Sequence, residues 1–426
     1  MHMRVFRVIP AAVGAVVVLT AAGIGMAAGV TTNPSGAGTS GTSRSSGTRH
    51  PGLLHVQPFQ PNFRAADKAT ASHALTAGVS HVPAHSSSRV TGKLRPSPFQ
   101  PRFAVPGVTA PTVPYYAASF SHGGKTYPYT SIGTDPRTST ATTHVPVTFV
   151  PVRINMSDGA YSYPTGAIGQ TTGSLLFNNR AIPINGPSVT RQIAGSEEYA
   201  QYGDATLRSS YWKYVSANGA KWNVLLDQPT TTSLRTISVP SGQGSWYGPD
   251  SNGYYVMVVN NTWYEKKLNS VVASMSAKSL VVFLTYDVVG CSDYTNLSTC
   301  GTGGFHSMMV NTSGTHTYAW GSWLDSSVAG TGFADTAPMS HEVAEWLNDP
   351  FLNDVVPSWN IPSEPQYGCS KLFEVGDPLV NTIFTIDGLD YQDEADFSWF
   401  ARQNPSIGYH GSYSDLGTLT TYSPSC

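Results

Sequence analysis

The sequence predicts an α+β fold, a mixed sheet with packed helices, from three features of its last third. Leu280–Val289 (LVVFLTYDVV) is a continuous apolar run bounded by Ser279 and Gly290, as a central strand buried on both faces requires. Asp335–Pro350 (DTAPMSHEVAEWLNDP) carries apolar residues every four positions, which is close to the helical period. Phe384-Thr385-Ile386 and Leu389-Asp390-Tyr391 flank Asp387-Gly388, the residue pair of a tight hairpin turn, and predict a C-terminal hairpin region. Strands and helices follow one another without strict alternation, which separates this pattern from repeated βα units.

The remaining elements are weaker but consistent. Val145–Ile154 (VPVTFVPVRI) alternates apolar and polar residues and reads as a strand. Ser196–Val215 opens on a capping serine followed by Glu197 and Glu198, suited to a helix N-terminus. Trp222–Leu226 and Gly253–Val259 read as strands. Trp263–Met275 reads as a helix with Leu268, Val271, Val272 and Met275 on one stripe. The expected globular domain runs from about Tyr115 to Cys426.

Ahead of it, residues 1–28 have the order of a signal peptide. Arg4 and Arg7 precede an uncharged run from Val8 to Val30, with small residues at Ala27 and Ala28. That run approaches the roughly 20 residues that span a bilayer, so a retained signal anchor is the alternative and the one route to membrane attachment. Residues 29–110 are rich in Pro, Ser and Gly and poor in large aliphatics, so they read as disordered linker. Within them Pro58-Phe59-Gln60-Pro61-Asn62-Phe63 recurs as Pro98-Phe99-Gln100-Pro101-Arg102-Phe103, either a docking motif or duplicated linker. Histidines 50, 55, 73, 81 and 85 also fall there, and could inhibit a distant site or serve nothing.

Only 12% of the 426 residues are charged, and the net charge of -2 gives no footprint for nucleic acid. The distribution matters more. Residues 1–110 hold ten Lys/Arg and one acid, Asp67, whereas residues 342–397 hold twelve Asp/Glu and one base, Lys371. That local excess of carboxylates invites a cation, with a merely acidic surface as the plain alternative. Four cysteines in an exported chain favour disulfides. Three pairings are possible. Cys291–Cys300 and Cys369–Cys426 are preferred, the first closing a short loop and the second fastening the C-terminus.

The chemistry is expected on the helix at Asp335–Pro350. Asp335 can cap it, Pro338 fits its first turn, and Asp349-Pro350 ends it. Met339, Val343 and Leu347 form a core-facing stripe, while His341 and Glu345, also four apart, fall on roughly the opposite side. An imidazole and a carboxylate so placed can offer two ligands to one metal ion. This is the arrangement of H-E-x-x-H zinc helices with Glu in place of the second His. Glu342, beside the first ligand, would then be the base acting on metal-bound water. An ordinary His–Glu pair on a helix surface is the alternative. Glu374 is the first choice for a third ligand, with Asp377 or His306 next.

Three segments carry a resemblance. They are Ser340-His341-Glu342-Val343-Ala344-Glu345, then Asn348-Asp349-Pro350, then Glu374-Val375-Gly376-Asp377. This order resembles a secreted S-H-E-x-A-E…D-P…E-x-G-D family of bacterial metallopeptidases. It is also similar to the plant phosphate-induced (EXORDIUM-like) proteins, whose Cys-Gly-x-His element is loosely matched by Cys300 and Gly303-Gly304-Phe305-His306. Gln201-Tyr202-Gly203-Asp204-Ala205 through Arg208 and Trp212 looks like a further shared element. The resemblance implies a zincin-like helix with His341 and Glu345 as ligands and Glu342 as base. The chain lacks H-E-x-x-H itself, and the plant relatives are regarded as extracellular growth regulators, so catalysis does not transfer automatically.

Two functions follow as expectations. The first is a secreted zinc-dependent hydrolase, a metallopeptidase acting on peptide or protein. The second is a non-catalytic extracellular or cell-wall binding protein, in which a structural Ca2+ occupies the acidic cluster. Its 22 Tyr and nine Trp would then meet a wall polymer. A serine hydrolase is a distant third, because no G-x-S-x-G elbow precedes a suitable histidine.

Overall fold

The computed structural model describes residues 107–422, apart from 180–182, 187–188, 193–199, 249–254, 297–298, 326–333, 363–368 and 381. The expected export segment, the linker through residue 106 with its paired hexapeptides and histidines, the first residues of the helix foreseen from Ser196, and Cys426 lie outside the described residues, whereas the linker's last residues are ordered, Thr109 O accepting the Thr315 N–H at 2.8 Å. Among the described residues no helix is long and apolar enough to cross a membrane.

Helices and mixed sheets combine in the α+β class that the sequence predicts. Strand β1 (Tyr115–His122) pairs antiparallel with β2 (Lys125–Ile132). The strand expected across Val145–Ile154 is two, β3 (Thr142–Val145) and β4 (Val147–Met156), divided at Pro146, which has no N–H to donate. Helices α1 (Tyr202–Ser210) and α2 (Trp212–Ala217) break at Tyr211 within the expected helical region. Strand β5 (Asn223–Leu226) lies parallel to β3, and β6 (Arg235–Val239) parallel to β4. Strand β7 (Val256–Asn260) leads into α3 (Asn261–Val272). This helix starts ahead of the expected Trp263 because the Asn260 side chain accepts the Trp263 N–H at 3.0 Å and caps it.

The run Leu280–Val289 is not one strand. It divides into β8 (Leu280–Tyr286) and β9 (Val288–Cys291), which belong to different sheets. Asp287 between them has φ 47°, a left-handed conformation, and its buried carboxylate accepts the Asp325 N–H at 2.8 Å. Aspartate tolerates that conformation because its short side chain can bond locally. Strand β10 (Cys300–Thr302) returns beside β9, and the expected Cys291–Cys300 disulfide joins the two. Cys369 is disulfide-bonded as well, and its foreseen partner, Cys426, lies outside the described residues.

Strands β11 (Gly304–Asn311) and β12 (Gly314–Trp323) complete the main sheet, whose central order is β6-β4-β8-β12-β11. The first four run parallel and β11 is antiparallel. Period-2 alternation sends Leu280, Val282 and Leu284 of β8 into one core and Val281 and Phe283 into another. The second core is closed by Tyr264, Leu268 and Val272 of α3. The first is closed by Met339, Val343 and Leu347 of α4 (Ala337–Asn348), each burial worth about 1.5–3 kcal/mol.

Helix α4 differs from expectation in two respects. Asp335 is not its cap: Thr336 holds that position without a side-chain cap bond, and the Asp335 carboxylate instead accepts the N–H groups of Thr336 and Asp390. Nor do His341 and Glu345 form a pair on the helix surface, the alternative to a metal pair. Every residue from Ala337 to Asn348 is buried, because β2, α1, β11, β12 and the C-terminal hairpin surround it.

Beyond α4 come β13 (Val355–Trp359) and β14 (Ser370–Leu372), then the hairpin of β15 (Ile383–Ile386) and β16 (Leu389–Gln392). Asp387 and Gly388 take φ 52° and 80°, the left-handed pair that such a turn requires. The Asp349-Pro350 corner is built on carboxylates. Asp349 accepts the Asn353 N–H at 3.0 Å, and Asp354 accepts the Thr130 N–H at 2.6 Å, binding the corner to β2. Asp354→Ala leaves the buried Thr130 amide unpaired and is expected to lower the unfolding free energy by about 1–3 kcal/mol. Chemical denaturation checks this, and a change within error would show the bond to be idle.

Candidate metal centre

The site is assembled from three pieces of chain. Strand β11 contributes His306. Its alternation puts Phe305 in the α3-side core with Trp320, and turns His306, opposite Ala319, toward α4. Helix α4 contributes His341, Glu342 and Glu345, which share a face because residues three and four apart are neighbours. The loop after β14 contributes Glu374 and Asp377. It is held by the Ala395 N–H to Val375 O at 2.8 Å and by Gln392 Nε2 to Gly376 O at 2.7 Å.

Two glycines allow this close approach. A Cβ on Gly376 would stand 2.3 Å from His341 Nδ1, so the loop backbone lies directly against the imidazole. A Cβ on Gly304 would meet Glu342 Cγ at 2.7 Å and Trp320 O at 2.7 Å. Each position has room only for hydrogen.

The side chains meet at short distances. His341 Nε2 is 3.2 Å from Glu345 Oε1, 3.8 Å from Asp377 Oδ1 and 3.9 Å from Glu342 Oε1. His306 Nδ1 is 3.4 Å from both Glu345 Oε2 and Glu342 Oε2, and its Nε2 is 4.0 Å from Glu374 Oε2. Ligands at bond lengths of about 2.0–2.2 Å around a tetrahedral ion stand about 3.4 Å apart, so these separations suit coordination. Among the described residues two groups of three offer ligand atoms within 4.8 Å of one another, His306–Glu345–Glu374 and His341–Glu345–Asp377. The first choice of third ligand therefore falls beside His306, while Asp377 completes the group at His341. His306 Nε2 has no hydrogen-bond partner although the residue is wholly buried, which marks a donor set with capacity left for an ion. Only Asp377, 31% exposed, opens to solvent.

The electrostatics follow from burial and mutual charge. Burial depresses His306, but Glu342 and Glu345 against its ring outweigh that and lift it to about 9. Burial likewise works against the charged form of His341, which Glu345 first and then Glu342 and Glu394 raise well above its ordinary value. Burial pushes Glu345 up, yet the two imidazoles hold it well below the usual carboxylate range. Glu342 is raised, with desolvation the largest cause. The chain alone thus balances the carboxylates with two imidazolium charges.

Compared with known proteins, the chain matches no family model, no curated protein and no solved structure.

Sequence reasoning missed the layer behind the centre. Glu394 is fully buried, accepts the Tyr202 hydroxyl at 2.6 Å and acts electrostatically on His341 and Glu345. Asp415 accepts from Thr206 Oγ1 at 2.8 Å, and burial, then repulsion from Asp393, lifts it to about 8. Glu394 lay within the acidic run 342–397, and Tyr202 within the Q-Y-G-D-A segment, but nothing in either showed that they touch.

His306 and Asp415 are both raised, so each favours the folded chain when protonated. The contribution of Asp415 is complete below about pH 4 and lost as pH rises toward 8; that of His306 is complete below 6.5 and lost toward 9. Chelated protein is expected to melt at steadily lower temperature between pH 6.5 and 9, with Asp415→Asn flattening the descent up to about 8. A melting temperature that climbs over this interval contradicts the assignment.

Proposed function

We propose that the chain is a secreted metal-dependent hydrolase, a zinc peptidase of the cell exterior. The observation that carries this reading is the convergence of His341 Nε2, Glu345 Oε1 and Asp377 Oδ1 with Glu342 beside them. The imidazoles favour zinc over calcium, which takes oxygen ligands. A divalent ion held there lowers the pKa of a coordinated water and polarises a carbonyl.

The chain's own residues supply the rest. Glu342 is buried and its pKa is raised, which makes it a stronger base at neutral pH. Its carboxylate takes a proton from the attacking water and returns it to the leaving amine. His306 Nδ1, 3.4 Å from Glu342 Oε2, orients that carboxylate. Asp377, at the opening, lies where a peptide reaches the centre. The Cys291–Cys300 disulfide supports an oxidising compartment, in line with the signal-like N-terminus. The resemblance to the S-H-E-x-A-E family implies a metal helix bearing His341 and Glu345, and not catalysis itself.

The alternative, a cell-wall or extracellular binding protein with a structural ion, is favoured by one observation: every group of the centre except Asp377 is buried. Glu342→Gln separates the two. Hydrolysis of casein or a peptide library is expected to fall by at least about 100-fold with the metal content unchanged, whereas His341→Ala removes the zinc held at His341–Glu345–Asp377, seen as a lower zinc content by elemental analysis. Undiminished hydrolysis by Glu342→Gln overturns the mechanism, and wild-type protein that carries zinc but hydrolyses nothing favours the binding protein.

A further inference from the structure

Glu345 belongs to both groups of ligands, and it divides its two oxygens between them. Oε1 faces His341 at 3.2 Å and Oε2 faces His306 at 3.4 Å. Glu342 is split in the same sense, Oε1 toward His341 at 3.9 Å and Oε2 toward His306 at 3.4 Å. Asp377 approaches His341 at the same Nε2 that faces Glu345, whereas Glu374 lies at His306 Nε2, with ligand atoms of His306, Glu345 and Glu374 still within 4.8 Å of one another. We propose that the centre takes two divalent cations, one at His341–Glu345–Asp377 and one at His306–Glu345–Glu374, with Glu345 as the bridging carboxylate. The proposal rests on the metal-site reading above and adds a second position to it.

Charge argues for the second ion. Glu342, Glu345, Glu374 and Asp377 carry up to four negative charges beside two imidazoles that must be neutral to serve as ligands. A single divalent ion at His341 balances two of the four and a protonated His306 a third, which leaves one carboxylate uncompensated, a costly state where it is buried. Two divalent ions balance all four. Geometry argues the same way. A single ion at His341 gives His306 Nδ1 its contacts to Glu342 and Glu345 but leaves the wholly buried Nε2, which has no hydrogen-bond partner, idle 4.0 Å from Glu374. Two-metal sites hold their ions about 3.5–4 Å apart across shared ligands, and a carboxylate presenting one oxygen to each of two imidazoles is the bridge such a spacing uses. Carboxylate-bridged two-metal sites in helix bundles likewise combine two imidazoles with several carboxylates; here three carboxylates would serve as ligands, with Glu342 beside them as the base.

The test uses the full chain, stripped with chelator and titrated with Mn2+, with bound metal counted by elemental analysis and the ions' magnetic interaction read by electron paramagnetic resonance. Two ions per chain with a spin-coupled pair are expected. His306→Ala and His341→Ala should each retain one ion and lose the coupling, and circular dichroism confirms that each variant is folded. Saturation at one ion, uncoupled, overturns the bridge while leaving the single-metal reading intact if His341→Ala removes that ion. No bound metal overturns both. The wild-type count and spectrum decide the matter even if a variant does not fold.

Discussion

Glu345 is buried with one carboxylate oxygen 3.2 Å from His341 Nε2 and the other 3.4 Å from His306 Nδ1, an arrangement that no single stretch of chain can make. Taking a carboxylate out of water costs several kcal/mol unless opposite charge and hydrogen bonds replace the lost solvent. One of the two imidazoles comes from the same helix, and the other must be delivered by a strand. The packing of β11 against α4 is therefore an electrostatic requirement as well as a hydrophobic one. The loop bearing Glu374 and Asp377 is then drawn to the same place, and the hairpin strand β16 holds it there through Gln392.

The fold meets that requirement by removing bulk at the points of contact. Gly304 lets β11 and Glu342 approach, Gly321 receives Met339, and Gly376 lies against the His341 ring. The apolar part of the same helix closes one core of the central sheet, so the residues that position the centre also stabilise the fold. Burial on this scale sharpens every charge interaction within, and it confines access to the side of Asp377. Glu394 and Tyr202 form a second layer that fixes the electrostatic surroundings of His341 without reaching the opening.

The elements most legible in the sequence are those whose cause is local. The Asp387-Gly388 turn is one, because only those residue types enter the left-handed region cheaply, and the His341–Glu345 spacing is another, because helical geometry alone makes four-apart residues neighbours. Where non-local contacts intervene, local reading misplaces things. The apolar run through Val289 conceals a strand break because the preference of Asp287 for a left-handed turn is settled by a bond to Asp325. The polar face of α4 suggests solvent, yet five surrounding elements bury it. Asp335 has the composition of a cap and instead ties the helix start to Asp390.

Sequence by itself therefore determined the α+β class, the C-terminal hairpin and the identity of the groups able to bind a metal, and favoured the Cys291–Cys300 pairing among three, since each depends on residue type and short spacing. Tertiary structure alone decided how those groups are shared: Glu374 beside His306, Asp377 beside His341, and Glu345 between. Separations of dozens of residues along the chain carry no information about distance in space, which is fixed only when strand, helix and loop pack against one another.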